Sequence, residues 1–179
     1  MFSDFKIRSF TAAGLAFLSF LALYLGHFFL KIFIFSLSAI LFFEWMRIIS
    51  QTQWIIRGLI ALFFSSFVYF TDGYTTLDLL FIISGSIIIS SFSAYFSISA
   101  FWSCLGFIYV STSLCFLEYL RNFENGLLTI LLIISTIMIS DISGYIFGKY
   151  FSGPKIFKKI SPNKTYSGFV ASITLGTLW

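Results

Sequence analysis

"LLTILLIISTIMISDISGYIF" occupies residues 127–147. It carries a single charge, Asp141, and its apolar side chains run without the alternation of a half-buried strand. An α-helix needs roughly 20 such residues to cross the hydrocarbon core of a bilayer. Backbone groups in lipid must be satisfied internally, so only helices and closed barrels span it, and barrel strands alternate. The stretch therefore predicts a transmembrane helix, with a carboxylate inside it that needs a reason.

The same texture extends along the chain. Of 179 residues, 59% are hydrophobic, 22% aromatic and 10% charged, whereas a soluble domain carries about a quarter charged residues. The reading is an all-α polytopic integral membrane protein, one membrane domain over 1–179. Spans are expected near 10–25, 28–46, 54–71, 77–96, 98–120 and 127–147, with a seventh beginning near Gly168. The break near Ser97 has neither charge nor proline to mark it, and only the length of the run demands a turn. The first run follows Lys6 and Arg8 but has no small-residue cleavage site behind it, so a retained helix is expected rather than a signal peptide. Cys104 and Cys115 lie eleven residues apart in one helical run. That is about 16 Å along the axis, too far for a disulfide, and they read as packed thiols.

Lysine and arginine placement gives the orientation. With the N-terminus in the cytoplasm, the inner side receives Lys6, Arg8, Arg47, Arg57, Lys149, Lys155, Lys158, Lys159 and Lys164. The outer side receives only Lys31 and Arg121, with the acids Asp72, Asp78, Glu118 and Glu124. A basic patch flanking apolar spans suits anionic lipid, and no nucleic acid partner is expected.

Ionisable groups inside spans are costly and point to function by default. Glu44, in "LFFEWMR" (41–47), lies about 24 Å into the second span, and Asp141 about 21 Å into the sixth. Both approach the cytoplasmic third of the membrane. Glu44 has a plain alternative, an ion pair with Arg47 at i+3. Asp141, Gly144, Tyr145 and Gly148 share one helix face, joining a carboxylate to two glycines that admit a close neighbour, whether a backbone or a ligand.

Residues 148–168 form a lysine-rich cytoplasmic loop in this reading, holding five lysines and both prolines of the chain. Topology alone accounts for the charge but not for "SPNKTYSG" (161–168), which sets a proline turn, hydroxyls, an amide and a lysine before a new helix. Ser161, Asn163 and Thr165 are each candidates to cap that helix, whose free N–H groups attract phosphate. The lysines add point charges suited to a polyphosphate. "NKT" (163–165) is not a Walker A loop, because no glycine-rich lead-in precedes it. No GxSxG and no Cys/His metal cluster occurs, and the single His27 falls at the opposite membrane face.

At these residues the chain resembles the phosphatidate cytidylyltransferases, also called CDP-diacylglycerol synthases. The resemblance is carried by "EW" (Glu44, Trp45), by "DISGYIFGK" (141–149), and by "KIFKKISPNKTYSG" (155–168). Ser161, Pro162, Lys164, Thr165, Tyr166 and Gly168 meet every fixed position of the family's Ser-Pro-x-Lys-Thr pattern. That family's later signature, with further acids implicated in metal binding, does not occur in these residues, so the chain is expected to be truncated. The resemblance implies transfer of a cytidylyl group from CTP to phosphatidate in the bilayer, releasing pyrophosphate. It implies Mg²⁺ held in part by Asp141, phosphates met by Lys149 and Lys164, a loop oriented by Ser161 and Thr165, support from Glu44, and a homodimer in the inner membrane. Two alternatives stand beside it: a CTP-dependent polyprenol kinase of the same broad group, and a non-catalytic fragment or subunit that binds lipid or a partner.

Overall fold

The computed structural model describes residues 2–71, 76–157 and 161–179, with the side chains of 2–9, 12, 157, 162 and 163 outside the description. Lys158, Lys159 and Asp72 therefore lie outside the described residues, as does the side chain of Asn163. The chain forms α1 (Phe2–Leu25), α2 (His27–Ile49), α3 (Trp54–Phe70), α4 (Thr76–Tyr95), α5 (Ala100–Arg121), α6 (Gly126–Phe151), β1 (Lys155–Phe157), β2 (Ser161–Thr165) and α7 (Tyr166–Leu178). Helices α2, α4, α5 and α6 are long and apolar enough to cross a membrane, and α1, α3 and α7 carry shorter apolar stretches. This is the helical, polytopic membrane architecture expected, with two compact units, Met1–Glu124 and Asn125–Trp179.

Within the first unit each helix buries a narrow stripe and turns large apolar side chains outward. Helix α2 buries Leu30, Ile34, Ser38, Phe42 and Met46, an unbroken four-residue ridge. Helix α4 buries Ile82, Gly85, Ser86, Ile89 and Ser93, while Leu79, Leu80, Ile83 and Ile87 are exposed. The small residues Gly85, Ser86 and Ser93 in the buried stripe of α4 let backbones approach closely, as packing of helices surrounded by lipid requires. Three buried serines cost little, because their hydroxyls donate to carbonyls of their own helix: Ser38 to Phe35 at 2.8 Å, Ser86 to Ile83 at 2.7 Å, Ser103 to Ser99 at 2.9 Å. Phe42 and Phe107 stack with ring centroids 5.6 Å apart. A Cβ on Gly85 would fall 2.7 Å from the Phe107 ring, so the aromatic occupies the space that glycine leaves.

Helix ends in this unit are closed by arginines. Arg57, fully buried, donates through Nη2 to the carbonyls of Met46 (2.9 Å), Ser50 (2.7 Å) and Thr52 (3.0 Å) and so caps α2. Arg121 does the same for α1, donating to Leu23 at 2.6 Å and Tyr24 at 3.3 Å. Near the Arg121 end, Lys31 lies 3.6 Å from Glu118 and donates to the Thr71 carbonyl at 3.4 Å, and Thr71 donates to Asp78 at 2.6 Å. The break near Ser97 is a Schellman closure: Ser97 adopts φ +56, its N–H donates to Ala94, and that of Ile98 reaches back to Ser93 at 2.9 Å.

In the second unit α6 runs to Phe151, so Lys149 sits in its last turn rather than in a loop. The segment beyond is a two-stranded antiparallel hairpin, pairing Lys155 with Thr165 and Phe157 with Ser161, rather than irregular chain. Helix α7 then returns along α6. Ser140, Gly144 and Gly148, spaced by four, meet Gly176, Ser172 and Gly168, also spaced by four. A Cβ on Gly144 would stand 3.3 Å from that of Ser172, and one on Gly148 would stand 3.4 Å from the Gly168 Cα. Ser140 donates to the Ser172 carbonyl at 3.1 Å, and buried Ser143 donates to that of Ser140 at 2.9 Å. The close neighbour that the two glycines of α6 anticipated is thus the backbone of α7.

Candidate active site

Strand β2 lies antiparallel against β1 and delivers its last residues to the start of α7. Thr165 is the hinge. Its Oγ1 accepts the Gly168 N–H at 3.3 Å, making it the cap of α7; it lies 3.4 Å from the Gly148 carbonyl and 3.1 Å from Ser167 Oγ. Ser167 gives its own proton to the Ser152 carbonyl at 2.8 Å, so Thr165 is the donor towards Ser167 or Gly148. Of the three capping candidates, Thr165 holds the role, while Ser161 is placed in β2 by the pairing.

A cavity of about 460 Å³ opens between α6, the hairpin and α7. Helix α6 contributes Ser140, Asp141, Gly144 and Tyr145 to its wall. The hairpin contributes Ile156, Ser161, Lys164 and Thr165, and α7 contributes Gly168, Phe169 and Ser172. Asp141 and Lys164 are both exposed to this space, and no ion pair joins them among the described residues. A carboxylate, an ammonium and several hydroxyls thus line one trough, with the hydroxyls of Ser140 and Ser172 already donating to backbone carbonyls.

Four residues singled out in the sequence, Asp141, Ser161, Lys164 and Thr165, converge here. Lys149 is not in the wall; its Nζ lies 5.8 Å from the centroid of the Tyr145 ring, one turn below the cavity. Glu44 belongs to the other unit, where it is exposed on α2. Its expected partner Arg47 lies 6.0 Å from the Trp54 ring centroid instead, and no Glu44–Arg47 ion pair occurs among the described residues. The neighbouring Trp45 is a packing residue: its indole donates to the Trp102 carbonyl at 3.0 Å and fills the space left by Gly106. Sequence reasoning did not assign Ser140, Ser172, Phe169 or Ile156 to the site. The four-residue spacing of Gly168, Ser172 and Gly176 was the available signal for Ser172, since it mirrors that of α6.

Helices α6 and α7 thus form an apolar helical hairpin with a carboxylate and an ammonium lining one cavity at its base. The sequence profile of the cytidylyltransferase family matches residues 6–179, and the chain belongs to that family. It is similar to a protein named phosphatidate cytidylyltransferase from Brucella melitensis biotype 1, 26% identical over 184 positions that cover 98% of this chain and 67% of the relative. The protein of that name from Brucella abortus biovar 1 is 25% identical, over 94% of this chain and 63% of its own length. A shorter match, 52% identical over 46 residues, links 26% of this chain to 15% of a phosphatidate cytidylyltransferase from Chlamydia pneumoniae. The chain thus spans about two thirds of the length of the Brucella relatives. No solved structure matches it.

Proposed function

We propose that this chain carries part of the active site of a phosphatidate cytidylyltransferase, joining CTP and phosphatidate to give CDP-diacylglycerol and pyrophosphate. The observation that supports the reading is the meeting of Asp141 and Lys164 in one cavity at the membrane-embedded hairpin. In the reaction a phosphatidate phosphate oxygen forms a bond to the α-phosphorus of CTP, and the bond from that phosphorus to the bridging oxygen breaks, releasing pyrophosphate. The attacking oxygen is already anionic near neutral pH, so no strong base is required. The obstacle is repulsion between two polyanions, which positive charge fixed in place relieves.

Lys164 supplies that charge from the hairpin, contacting the triphosphate. Ser161 and Thr165 have narrower duties: Ser161 offers a hydroxyl to a phosphate oxygen, and Thr165 holds the hairpin to α7. Lys149, in the last turn of α6, meets phosphate at the cavity mouth. Asp141 fits Mg²⁺ as one ligand. It is the single acid lining the cavity, no cluster of three or more His, Cys, Asp or Glu occurs among the described residues, and one hard carboxylate with substrate phosphates is a usual Mg²⁺ set. Mg²⁺ bound there would neutralise charge on the triphosphate.

The cavity is read as facing the cytoplasm in an inner membrane. Two arginines leave the charge count, because Arg57 and Arg121 are committed to helix-end carbonyls. The remaining bias, eight to one, still supports a cytoplasmic hairpin. The test is conversion of CTP to CDP-diacylglycerol by the protein in phosphatidate-containing micelles. Lys164→Met and Asp141→Asn are each expected to lower kcat/KM roughly 100-fold; turnover equal to wild type in both removes the cavity from the reaction.

A further inference from the structure

Tyr145 stands out among the residues that the reaction leaves without a task. Its ring is 70% exposed and lines the cavity, yet it belongs to α6 at a position bracketed by charge: Asp141 one turn before it, Lys149 one turn after. The Lys149 ammonium lies 5.8 Å from the ring centroid, within the range of a cation–π contact. The ring thus has an ammonium within reach and a carboxylate one turn away, so it belongs to the polar stretch of α6 that borders the cavity. Phe169, the other aromatic of the wall, differs: one turn along α7 it continues into exposed Ile173, an apolar strip suited to a lipid chain. The remaining walls near Tyr145 are Ser140, Gly144, Ser161 and Thr165, none of which offers a flat surface.

We propose that the Tyr145 ring is the platform on which the pyrimidine base of the nucleotide stacks. The inference rests on the cytidylyltransferase reading of the same cavity and adds where the base goes. Every base presents a π-face to an aromatic ring, and stacking of this kind carries a substantial part of nucleotide affinity. With the base on the face of Tyr145 opposite Lys149, the triphosphate extends across the cavity towards Lys164. The phenol hydroxyl is not needed for stacking, so phenylalanine serves equally well. The ring is uncovered by the rest of the chain, so its removal leaves the α6–α7 seam intact.

The experiment is calorimetric binding of two probes, CTP and inorganic tripolyphosphate, to the full chain in detergent micelles with Mg²⁺. Wild type and Tyr145→Phe are expected to bind CTP alike, and Tyr145→Leu about tenfold more weakly. All three are expected to bind tripolyphosphate equally. Tyr145→Leu binding CTP as well as wild type overturns the platform while leaving the cytidylyltransferase reading standing. Equal weakening for CTP and tripolyphosphate also overturns it, because the ring then acts only by holding Lys149. Wild type that binds neither probe overturns the nucleotide reading of the cavity, and the platform with it.

Discussion

A Cβ placed on Gly168 would lie 2.5 Å from the carbonyl oxygen of Gly144, with the Gly148 Cα at 3.1 Å behind it. The contact is backbone against backbone, so no side-chain rotation relieves it. Gly168→Ala must push α7 off α6, and overpacking of this kind costs about 1–3 kcal/mol. Denaturant titration in micelles is expected to show that loss. Gly153, where an added Cβ meets nothing within 4 Å but φ is +125, is the control for strain without crowding. An unchanged midpoint for Gly168→Ala would mean the seam is looser than described.

Arg57 was read from the sequence as one more inside-facing charge, and the fold spends it on three carbonyls at the end of α2. Arg57→Ala takes that donor from part-buried Ser50 and Thr52 and leaves the Met46 carbonyl only the Ser50 N–H; an orphaned buried acceptor costs about 1–3 kcal/mol. A loss of about 3 kcal/mol is expected in helix content against denaturant. Arg57→Lys is expected to recover only part of it, since an ammonium lacks the planar fork that serves several acceptors at once. Full recovery by lysine would show that charge alone does the work.

The inward orientation has a direct check. Lys155 is exposed on β1. In a background with Cys104 and Cys115 replaced by alanine, Lys155→Cys is expected to react with a membrane-impermeant maleimide in inverted vesicles and to stay unlabelled in intact cells. Labelling of intact cells would reverse the topology and move the cavity away from cytosolic CTP.

How much of this was readable beforehand follows from what each signal depends on. Long apolar runs fix helices locally, so α2 to α6 lie within a few residues of the expected runs, whereas α1 begins at Phe2 rather than near 10, and Asp141 announced itself by being charged inside such a run. Its companions Ser161, Lys164 and Thr165 were legible as a short motif. The hairpin was not, because Lys158, Pro162 and Asn163 suggest irregular chain and the pairing depends on where α6 stops. The turn at Ser97 was located by length alone; a serine in the left-handed region at a helix end has no composition that advertises it. Glu44 beside Arg47 looked like a ready pair, but Arg47 turns towards Trp54 instead. The role of Trp45 depends on Gly106, sixty-one positions away in sequence, which no local pattern exposes.

A row of evenly spaced notches has no preferred setting. Ser140, Gly144 and Gly148 on one helix, and Gly168, Ser172 and Gly176 on the other, would fit nearly as well if α7 slid by four residues, about 6 Å. What picks one setting is the short strap at the bottom. There Ser167 grips the Ser152 carbonyl at 2.8 Å, and the Tyr166 N–H holds that of Pro154 at 3.1 Å. The setting of α7 is therefore read like a vernier, from bonds at the scale's zero together with the single graduation where Ser140 meets the Ser172 carbonyl.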